Sequence, residues 1–283
     1  MSEFSFANLA LLVKNCREFF HAFEAISSLN ALMIDLYGKT ALVTGGSRGI
    51  GAAIVRKLAQ AGASVAFTYR RDTKRAKALE AEVQSLGQNC LALQADAASY
   101  RDVRRAVART ISRFGAISIL VNNAGIWKRA RLESLSEREW DETMNVNLKG
   151  TFFFCKEVVP HMKRGGGKII NIASTAGQRG EPFHSHYAAS KGGVIAFTKS
   201  IGVELARFNI QANCVSPGWV DTDMTSGVLG KRSSRRAIEA AIPRGRVATP
   251  EEVSESVLFL ASSLSNHLVG SVISVNGGSV LSG

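Results

Sequence analysis

The sequence lacks any closely spaced group of cysteines. Its four cysteines, Cys16, Cys90, Cys155 and Cys214, lie far apart and form no ligand pair. A disulfide framework or a zinc site needs cysteines at short and regular spacings. We therefore expect reduced thiols and no metal site.

A long hydrophobic run is also missing. The longest apolar stretch near the start, residues 7–13, is interrupted by Asn8 and is too short to span a bilayer. Glu3, Glu18 and Glu24 argue against a transit peptide, and no small-residue cleavage site follows a basic segment. We expect a cytoplasmic protein with no membrane partner.

Acidic residues are too few to balance the basic ones, and the formal net charge is +12. Basic residues gather at residues 70–77, 101–113, 128–131 and 231–236. Such a surplus either covers solvated helix faces or attracts anions, such as a dinucleotide phosphate or an acidic carrier protein bearing the substrate. No recognition helix, zinc finger or aromatic RNA-binding pattern accompanies the charge, so nucleic acid is not an expected partner.

From residue 40 onward, short β-branched runs alternate with amphipathic stretches, which is typical of a parallel sheet with crossover helices. The runs are nearly continuously apolar, as expected for strands that helices cover on both faces. The candidate strands are residues 40–44, 64–69, 90–96, 117–123, 168–174, 210–215 and 271–275. No linker or repeat interrupts the pattern, which predicts a single α/β domain over residues 36–283, with a doubly wound, parallel, seven-stranded sheet.

Residues 1–35 stand apart from this pattern. Phe19, Phe23 and Ile26 could form one stripe of an amphipathic helix, but the predicted sheet does not need it. Met33 directly precedes the first strand region and could be the true start. The extension is therefore a docking helix, a membrane-surface helix, or a segment foreign to the natural protein.

The first candidate strand runs into a glycine-rich turn that opens a helix. Glycines let the backbone turn sharply and approach a pyrophosphate, and the helix N-terminus offers free N–H groups. A position between a strand and a helix is the context that a dinucleotide site requires. The candidate contacts in this turn are Gly45, Ser47, Arg48, Gly49, Ile50 and Gly51.

The end of the second strand indicates which dinucleotide binds. An enzyme for NAD usually carries an acidic residue there, whereas this strand ends with Tyr69 and Arg70. Arg70, with Arg48 from the glycine turn, can pair with the 2′-phosphate of NADP(H). Asp72 is the alternative that would favour NAD, but it falls past the strand end, where we expect it to cap the next helix.

Tyr187 and Lys191 are four residues apart at the start of a predicted helix, so they share one face. A lysine ammonium favours the phenolate, and we expect it to lower the pKa of Tyr187 towards a working range. Ser174 ends a central candidate strand, at the sheet edge where ligands of α/β proteins bind. Its hydroxyl can hold a substrate oxygen beside the tyrosine.

In this order and spacing, the motifs resemble the short-chain dehydrogenase/reductase family over residues 37–280. The matching motifs are residues 44–51, Asp96, residues 122–125, Asn147, Ser174, Tyr187, Lys191, and Pro217 with Gly218. The resemblance implies a Rossmann fold with strand order 3-2-1-4-5-6-7 and, as is usual in the family, a homotetramer.

The resemblance also assigns roles to residues. It implies that Asn147 is a fourth catalytic residue, which positions a water that relays protons through Lys191. It implies that Lys191 also holds the nicotinamide ribose, and Tyr187 is counted with it among the cofactor contacts. The further cofactor contacts that it implies are Asp96 and Ala97 at the adenine, Asn123, Ala124 and Gly125 beside the cofactor, and Pro217, Gly218, Val220 and Thr222 on the nicotinamide side.

Within the family, the sequence is most similar to the β-ketoacyl-acyl-carrier-protein reductases, through residues 36–39, 242–246 and 250–278. Two departures, Trp219 and the basic loop at residues 226–236, suggest a specialised ketone instead of a generic acyl chain. His184 and His186 flank the site, and we expect them to line the pocket or the surface, not to bind metal.

The sequence therefore predicts an NADPH-dependent carbonyl reductase with Tyr187 as the general acid. Its substrate is a small-molecule ketone, of the 3-oxoacyl type or specialised, either free or bound to a carrier protein. The first alternative is an NADP-dependent secondary-alcohol dehydrogenase of specialised metabolism. The second is a non-catalytic NADPH-sensing protein, which would have no chemical need for the four catalytic residues.

Overall fold

The computed structural model describes residues 34–281. The sheet contains seven parallel strands in the order β3-β2-β1-β4-β5-β6-β7. The strands are β1 (Thr40–Val43), β2 (Ser64–Tyr69), β3 (Cys90–Gln94), β4 (Ile119–Asn122), β5 (Gly167–Ile172), β6 (Ile210–Pro217) and β7 (Val272–Val275). The predicted fold class, strand count and strand order are confirmed.

Helices connect the strands on both faces of the sheet. They are α1 (Gly49–Gln60), α2 (Thr73–Ser85), α3 (Tyr100–Phe114), α4 (Glu137–Met144), α5 (Gly150–Met162), α6 (Thr175–Arg179), α7 (Ser185–Leu205), α8 (Ser226–Leu229), α9 (Arg232–Ala240) and α10 (Pro250–Ala261). Residues Asn145–Lys149, between α4 and α5, form a π-helical turn. Leu36–Gly283 make one compact unit. The predicted extension falls outside the described residues, except for positions 34 and 35.

Local sequence signals explain where the helices begin and end. Ser136 and Glu139 form the predicted capping box of α4, since each side chain bonds the backbone of the other residue. Thr249 caps α10 in the same way, with Pro250 in its first turn. Beyond the ends of α1 and α2, Gly62 and Gly87 have φ angles of 94° and 79°, the left-handed conformation that ends a helix.

A large core cluster lies between the sheet and one layer of helices. Val103 and Val107 of α3 and Phe154 and Val158 of α5 pack against strand residues such as Leu120. On the other face, α1 packs against α10. Strands β1, β2, β4, β5 and β6 are buried almost throughout, which is the physical reason for their continuous apolar runs, whereas the edge strand β7 is only partly buried. The rigid sheet brings the carboxyl ends of its strands to one edge.

The described cysteines, Cys90, Cys155 and Cys214, are buried and free. Burial raises the pKa of each of these thiols to about 12. They are therefore protonated core residues. No group of three or more His, Cys, Asp or Glu side chains among residues 34–281 is arranged to hold a metal ion. In the same stretch, no helix has the length and apolar character needed to cross a bilayer.

Candidate active site

The carboxyl edge of the sheet opens into a cleft of about 730 Å³, a typical size for a small-molecule site. Every residue predicted to contact the cofactor lines this cleft. Of the four predicted catalytic residues, Ser174, Tyr187 and Lys191 line it as well. Asn147 does not line the cleft and lies fully buried behind it.

The glycine turn between β1 and α1 is closely packed at most of its glycines, where a side chain would not fit. A methyl group added to Gly51 would collide with Gly45 O and lie 2.6 Å from Asn123 Nδ2. Gly45 has a φ of +67°, which favours glycine. No side chain caps the N-terminus of α1 at Arg48. The turn thus presents free backbone N–H groups to the cleft, which fits a pyrophosphate.

The end of β4 is tied to the same turn. Asn123 Nδ2 donates to Thr44 O at 3.0 Å and to Gly45 O at 3.1 Å. The Thr44 hydroxyl accepts from the backbone N–H groups of Asn123 and Ala124. These bonds fix residues 123–125 against the turn, and they give the Asn123 side chain a structural reason to be an amide.

Three arginines, Arg48, Arg70 and Arg71, line the end of the cleft beyond β2. Arg70 Nε lies 3.0 Å from Asp96 Oδ2, in an ion pair that the sequence did not predict. A guanidinium carries five N–H donors, so this pair leaves donors for a phosphate. Asp72 accepts from Arg75 N at 3.0 Å and caps α2, as expected.

Lys191 projects from α7 into the protein interior and is only 4 % exposed. Its Nζ donates to Ile172 O at 2.7 Å, and burial lowers its pKa to about 8. An ammonium has three donors, so two remain for other partners. This is the chemistry that a pair of ribose hydroxyls would require.

Tyr187 lies on the same face of α7, and Lys191 Nζ is 5.9 Å from the centroid of its ring. Burial raises the pKa of Tyr187 to about 12, while a hydrogen bond from Ser174 opposes that rise. The expectation that the pKa of Tyr187 falls towards a working range is therefore wrong, because the net shift is upwards. The four-residue spacing does bring the two side chains together, but the free energy of burying a charged phenolate outweighs the hydrogen bond from Ser174.

Ser174 is held by the first turn of α6. Its Oγ accepts from Ala176 N at 3.1 Å, which directs its proton away from that amide. The hydroxyl can therefore donate to Tyr187 or to a substrate oxygen beside it. The position of Ser174, two residues past the end of β5, agrees with its predicted place at the sheet edge.

Asn147 lies in the π-helical turn and joins two parts of the site. Its Oδ1 accepts from Ile126 N at 2.8 Å, and its Nδ2 donates to Ile126 O and to Ser190 Oγ, each at 3.0 Å. A methyl group added to Gly125 would lie 3.4 Å from Asn147 Oδ1 and 3.6 Å from Lys191 Nζ. Asn147 and Lys191 thus lie close together on either side of Gly125, where a larger residue would place a side chain between them.

Sequence reasoning missed part of the cleft wall. Trp127 lines the cleft, and its ring stacks on His184, with 4.4 Å between centroids and 8° between planes. His184 and His186 are buried and do not line the cleft, so the expectation of a pocket or surface position was wrong for both. Burial and the neighbouring His184 lower the pKa of His186, which keeps it neutral at pH 7. The only sequence signal for Trp127 was its place two residues after Gly125.

Comparison with known proteins agrees with this geometry. Residues 45–280 match a family described as enoyl-(acyl carrier protein) reductase. The 3-oxoacyl-[acyl-carrier-protein] reductase of Staphylococcus aureus (strain Mu50) is 38% identical over 85% of this chain and 97% of its own. That of Chlamydia muridarum is 37% identical over 88% and 99% of the two chains.

Solved structures show the same relationship. A dehydrogenase/reductase from Sinorhizobium meliloti 1021 has a TM-score of 0.82 and 36% identity, over 87% of this chain and 97% of its own. The family to which these relatives belong uses a nicotinamide cofactor. The chain is an oxidoreductase that belongs to the short-chain dehydrogenase/reductase family.

Proposed function

We propose that this chain is an NADPH-dependent carbonyl reductase that uses Tyr187 as its general acid. The observation that carries the proposal is the meeting of Ser174, Tyr187 and Lys191 in the cleft that the glycine turn lines. When bound, the nicotinamide supplies a hydride to the carbonyl carbon, so that an alcohol and the oxidised dinucleotide result. The chain itself must supply a proton to the oxygen.

Tyr187 is suited to that step because its pKa of about 12 keeps the phenol protonated at neutral pH. A ketone oxygen between the Tyr187 and Ser174 hydroxyls would accept from both. The hydrogen bond from Ser174 to the ketone oxygen then stabilises the negative charge that develops there while Tyr187 gives up its proton. The hydroxyl of Ser174 orients the substrate and does not itself lose a proton.

Lys191 and Asn147 would serve the proton supply. Lys191 keeps two donors for the nicotinamide ribose, and its charge stabilises a phenolate once one has formed. The Asn147 side chain amide is held by Ile126 and Ser190, next to Lys191. This fixed position supports the role that the family resemblance gives it, in holding a water that passes protons to Lys191.

NADP(H) is the dinucleotide we propose. Arg48, Arg70 and Arg71 line one end of the cleft, and a 2′-phosphate there would find charged hydrogen-bond donors. Asp72, the residue that could have favoured NAD, is engaged as a helix cap. Asp96 remains within reach of the adenine side and orients Arg70 through their ion pair.

The substrate we propose is a small-molecule ketone, of the 3-oxoacyl type or specialised. The names of the bacterial relatives support the first, with an acyl carrier protein as partner, and the net charge of +12 would suit an acidic carrier. By family resemblance we also propose a homotetramer, located in the cytoplasm. Light scattering of the purified chain tests the assembly through its mass.

Tyr187→Phe tests the mechanism, because it removes only the hydroxyl. NADPH binding and folding should survive, while turnover should fall at least about a hundredfold, the low end of general acid–base contributions. Ser174→Ala should also lose turnover with cofactor affinity nearly intact, since its partner is the substrate oxygen. Cofactor fluorescence titrations beside ketone kinetics measure both quantities. A Tyr187→Phe protein with near-normal turnover would end the proposal.

A further inference from the structure

Two indole rings form a corner in the wall of the cleft. Trp127 and Trp219 both line it, with 5.8 Å between ring centroids and an angle of 88° between their planes. Trp127 follows Gly125 by two residues, and Trp219 directly follows Gly218. The two indoles therefore come from different loops, each close in sequence to a residue predicted to contact the cofactor.

The ring of Trp127 is fixed in both its plane and its rotation. Its Nε1 donates to Glu181 Oε2 at 3.2 Å, which sets the rotation about the side-chain axis. Its face stacks on His184, which is 7 % exposed and is held by a hydrogen bond of 3.1 Å between Nδ1 and Pro182 O. One face of the indole is thus occupied by His184, while the residue itself lines the cleft.

The loop that carries Glu181 and His184 is itself pinned. Phe183 has a φ of +64°, a left-handed conformation that is strained for an aromatic residue. Ala130 N donates to Phe183 O at 2.8 Å, and the Arg129 guanidinium lies 4.3 Å from the Phe183 ring centroid. A strained residue persists only where its surroundings hold it, so these contacts fix the loop of Phe183 against the loop that carries Trp127.

Trp219 is held by contacts of its own, separate from those of Trp127. It packs against a separate small core of Leu229, Ile242 and Val247, under α8 and α9. Its backbone O accepts from Ala248 N at 2.9 Å. Both indoles are therefore set in place before any substrate enters.

We propose that Trp127 and Trp219 select ketones whose carbonyl belongs to, or adjoins, a compact cyclic or aromatic ring system. This inference rests on the reductase function proposed above, and it narrows the substrate class. A compact ring gains contact with the two fixed indoles of the corner and loses no internal rotations on binding. A linear acyl chain must freeze several rotatable bonds to cover the same surface, so the corner favours the ring.

Trp127 is then a specificity-determining residue, and Glu181 and His184 are positioning residues that act through it. Contact with a part of the substrate that does not react stabilises the ground state and the transition state alike. Its loss should therefore raise KM and Kd for ring ketones and change kcat little.

The first arm of the test uses two ketones with the same number of carbons, 2-tetralone and 2-decanone. We expect the wild-type enzyme with NADPH to prefer 2-tetralone by at least about tenfold in kcat/KM, the size of one good ring contact. Calorimetry with the Tyr187→Phe protein and NADPH measures the Kd of each ketone without turnover. Preference for 2-decanone, or equal Kd and kcat/KM values, would overturn the inference.

The second arm uses variants. Trp127→Leu should reduce the ring-to-chain ratio in kcat/KM about tenfold, through KM. The matched control is Trp140→Leu, since Trp140 lies on α4, is 37 % exposed and does not line the cleft. Glu181→Ala and His184→Ala should lower the ring-to-chain ratio in kcat/KM. Glu181→Gln keeps an acceptor for the indole N–H, and His184→Phe keeps a ring that stacks on Trp127, so these two variants should retain most of the ratio.

The two proposals fail in different ways. If no ketone is reduced, the reductase function fails, and the Kd values alone decide the ring preference. If both ketones are reduced but Trp127→Leu and Trp140→Leu leave the same ratio, the reductase function stands and the role of the indole corner is refuted.

Discussion

Lys191→Met should make the protein more stable while it abolishes turnover. Burial lowers the pKa of Lys191 from its usual 10.5 to about 8. At about 1.4 kcal/mol for each pH unit, keeping this lysine charged at pH 7 costs the fold about 3 kcal/mol. Methionine fills a similar volume without charge, but it leaves Ile172 O without its donor, which costs about 1 kcal/mol. The net gain is about 2 kcal/mol, or roughly 4–8 °C in Tm for a chain of this size.

The pH dependence of that gain identifies its cause. The pKa of Lys191 in the folded protein lies below that in the unfolded chain, so the unfolded chain binds more protons between about pH 8 and 10.5. Wild-type stability gains from this group as the pH rises through that window. The variant lacks the group, so its advantage should be full below pH 8 and shrink towards pH 10.5. Lys168, whose pKa burial also lowers to about 8, is present in both proteins and cancels.

Urea unfolding of the dinucleotide-free proteins at pH 7, 8.5 and 10 measures the free energies of unfolding. Lys199→Met is the matched control, because Lys199 is exposed on the same helix and its replacement should change stability by less than about 0.5 kcal/mol. A Lys191→Met protein that is less stable than wild type at pH 7, or an advantage that does not change with pH, would refute the reasoning.

Three further predictions concern the cofactor end and the extension. The wild-type protein should prefer NADPH over NADH by at least about tenfold in kcat/KM. Arg70→Asp, which places a second carboxylate beside Asp96, should erase or reverse this cofactor preference. A wild-type preference for NADH would contradict the 2′-phosphate argument. Gly51→Ala should destabilise the fold by about 1–3 kcal/mol and weaken NADPH binding, because the new methyl group collides with Gly45 O and Asn123. Gly165→Ala is the control, because its methyl group meets no atom within 4 Å. Equal unfolding midpoints for the two variants would contradict this prediction. A chain that starts at Met33 should fold, bind NADPH and keep most activity, since every motif and every strand of the described residues follows it. Loss of folded protein on this truncation would show that the extension belongs to the fold.

Much of the fold could be predicted because buried strands have continuous apolar runs that are visible in the sequence. The run at residues 64–69 coincides with β2 to the residue, and the glycine turn lies where β1 passes into α1. Strand ends were less exact: β6 runs on to Pro217, past the last β-branched residue, because its backbone pairs with β7 as far as Val275. Pairing between distant segments leaves little local signal.

The site was predictable in position and less so in electrostatics. A four-residue spacing places Tyr187 and Lys191 on one helix face, but it contains no information about how deeply either is buried. Burial reverses the expected direction for the pKa of Tyr187. The ion pair of Arg70 with Asp96 and the bond of Trp127 to Glu181 join segments that are 26 and 54 residues apart, so neither could be found from local pattern.

The π-helical turn at Asn145–Lys149 makes the direction of one side chain depend on chain length. A regular helix advances about 100° per residue, so one residue fewer in this turn would swing all that precedes it by more than a quarter of a circle. The side chain of Asn147 would then lose its hydrogen bond to Ile126 or to Ser190, although residue 147 itself had not been substituted. Deletion of a single residue in this segment would therefore turn α4 relative to α5 and move Asn147 away from the partners that hold it beside Lys191.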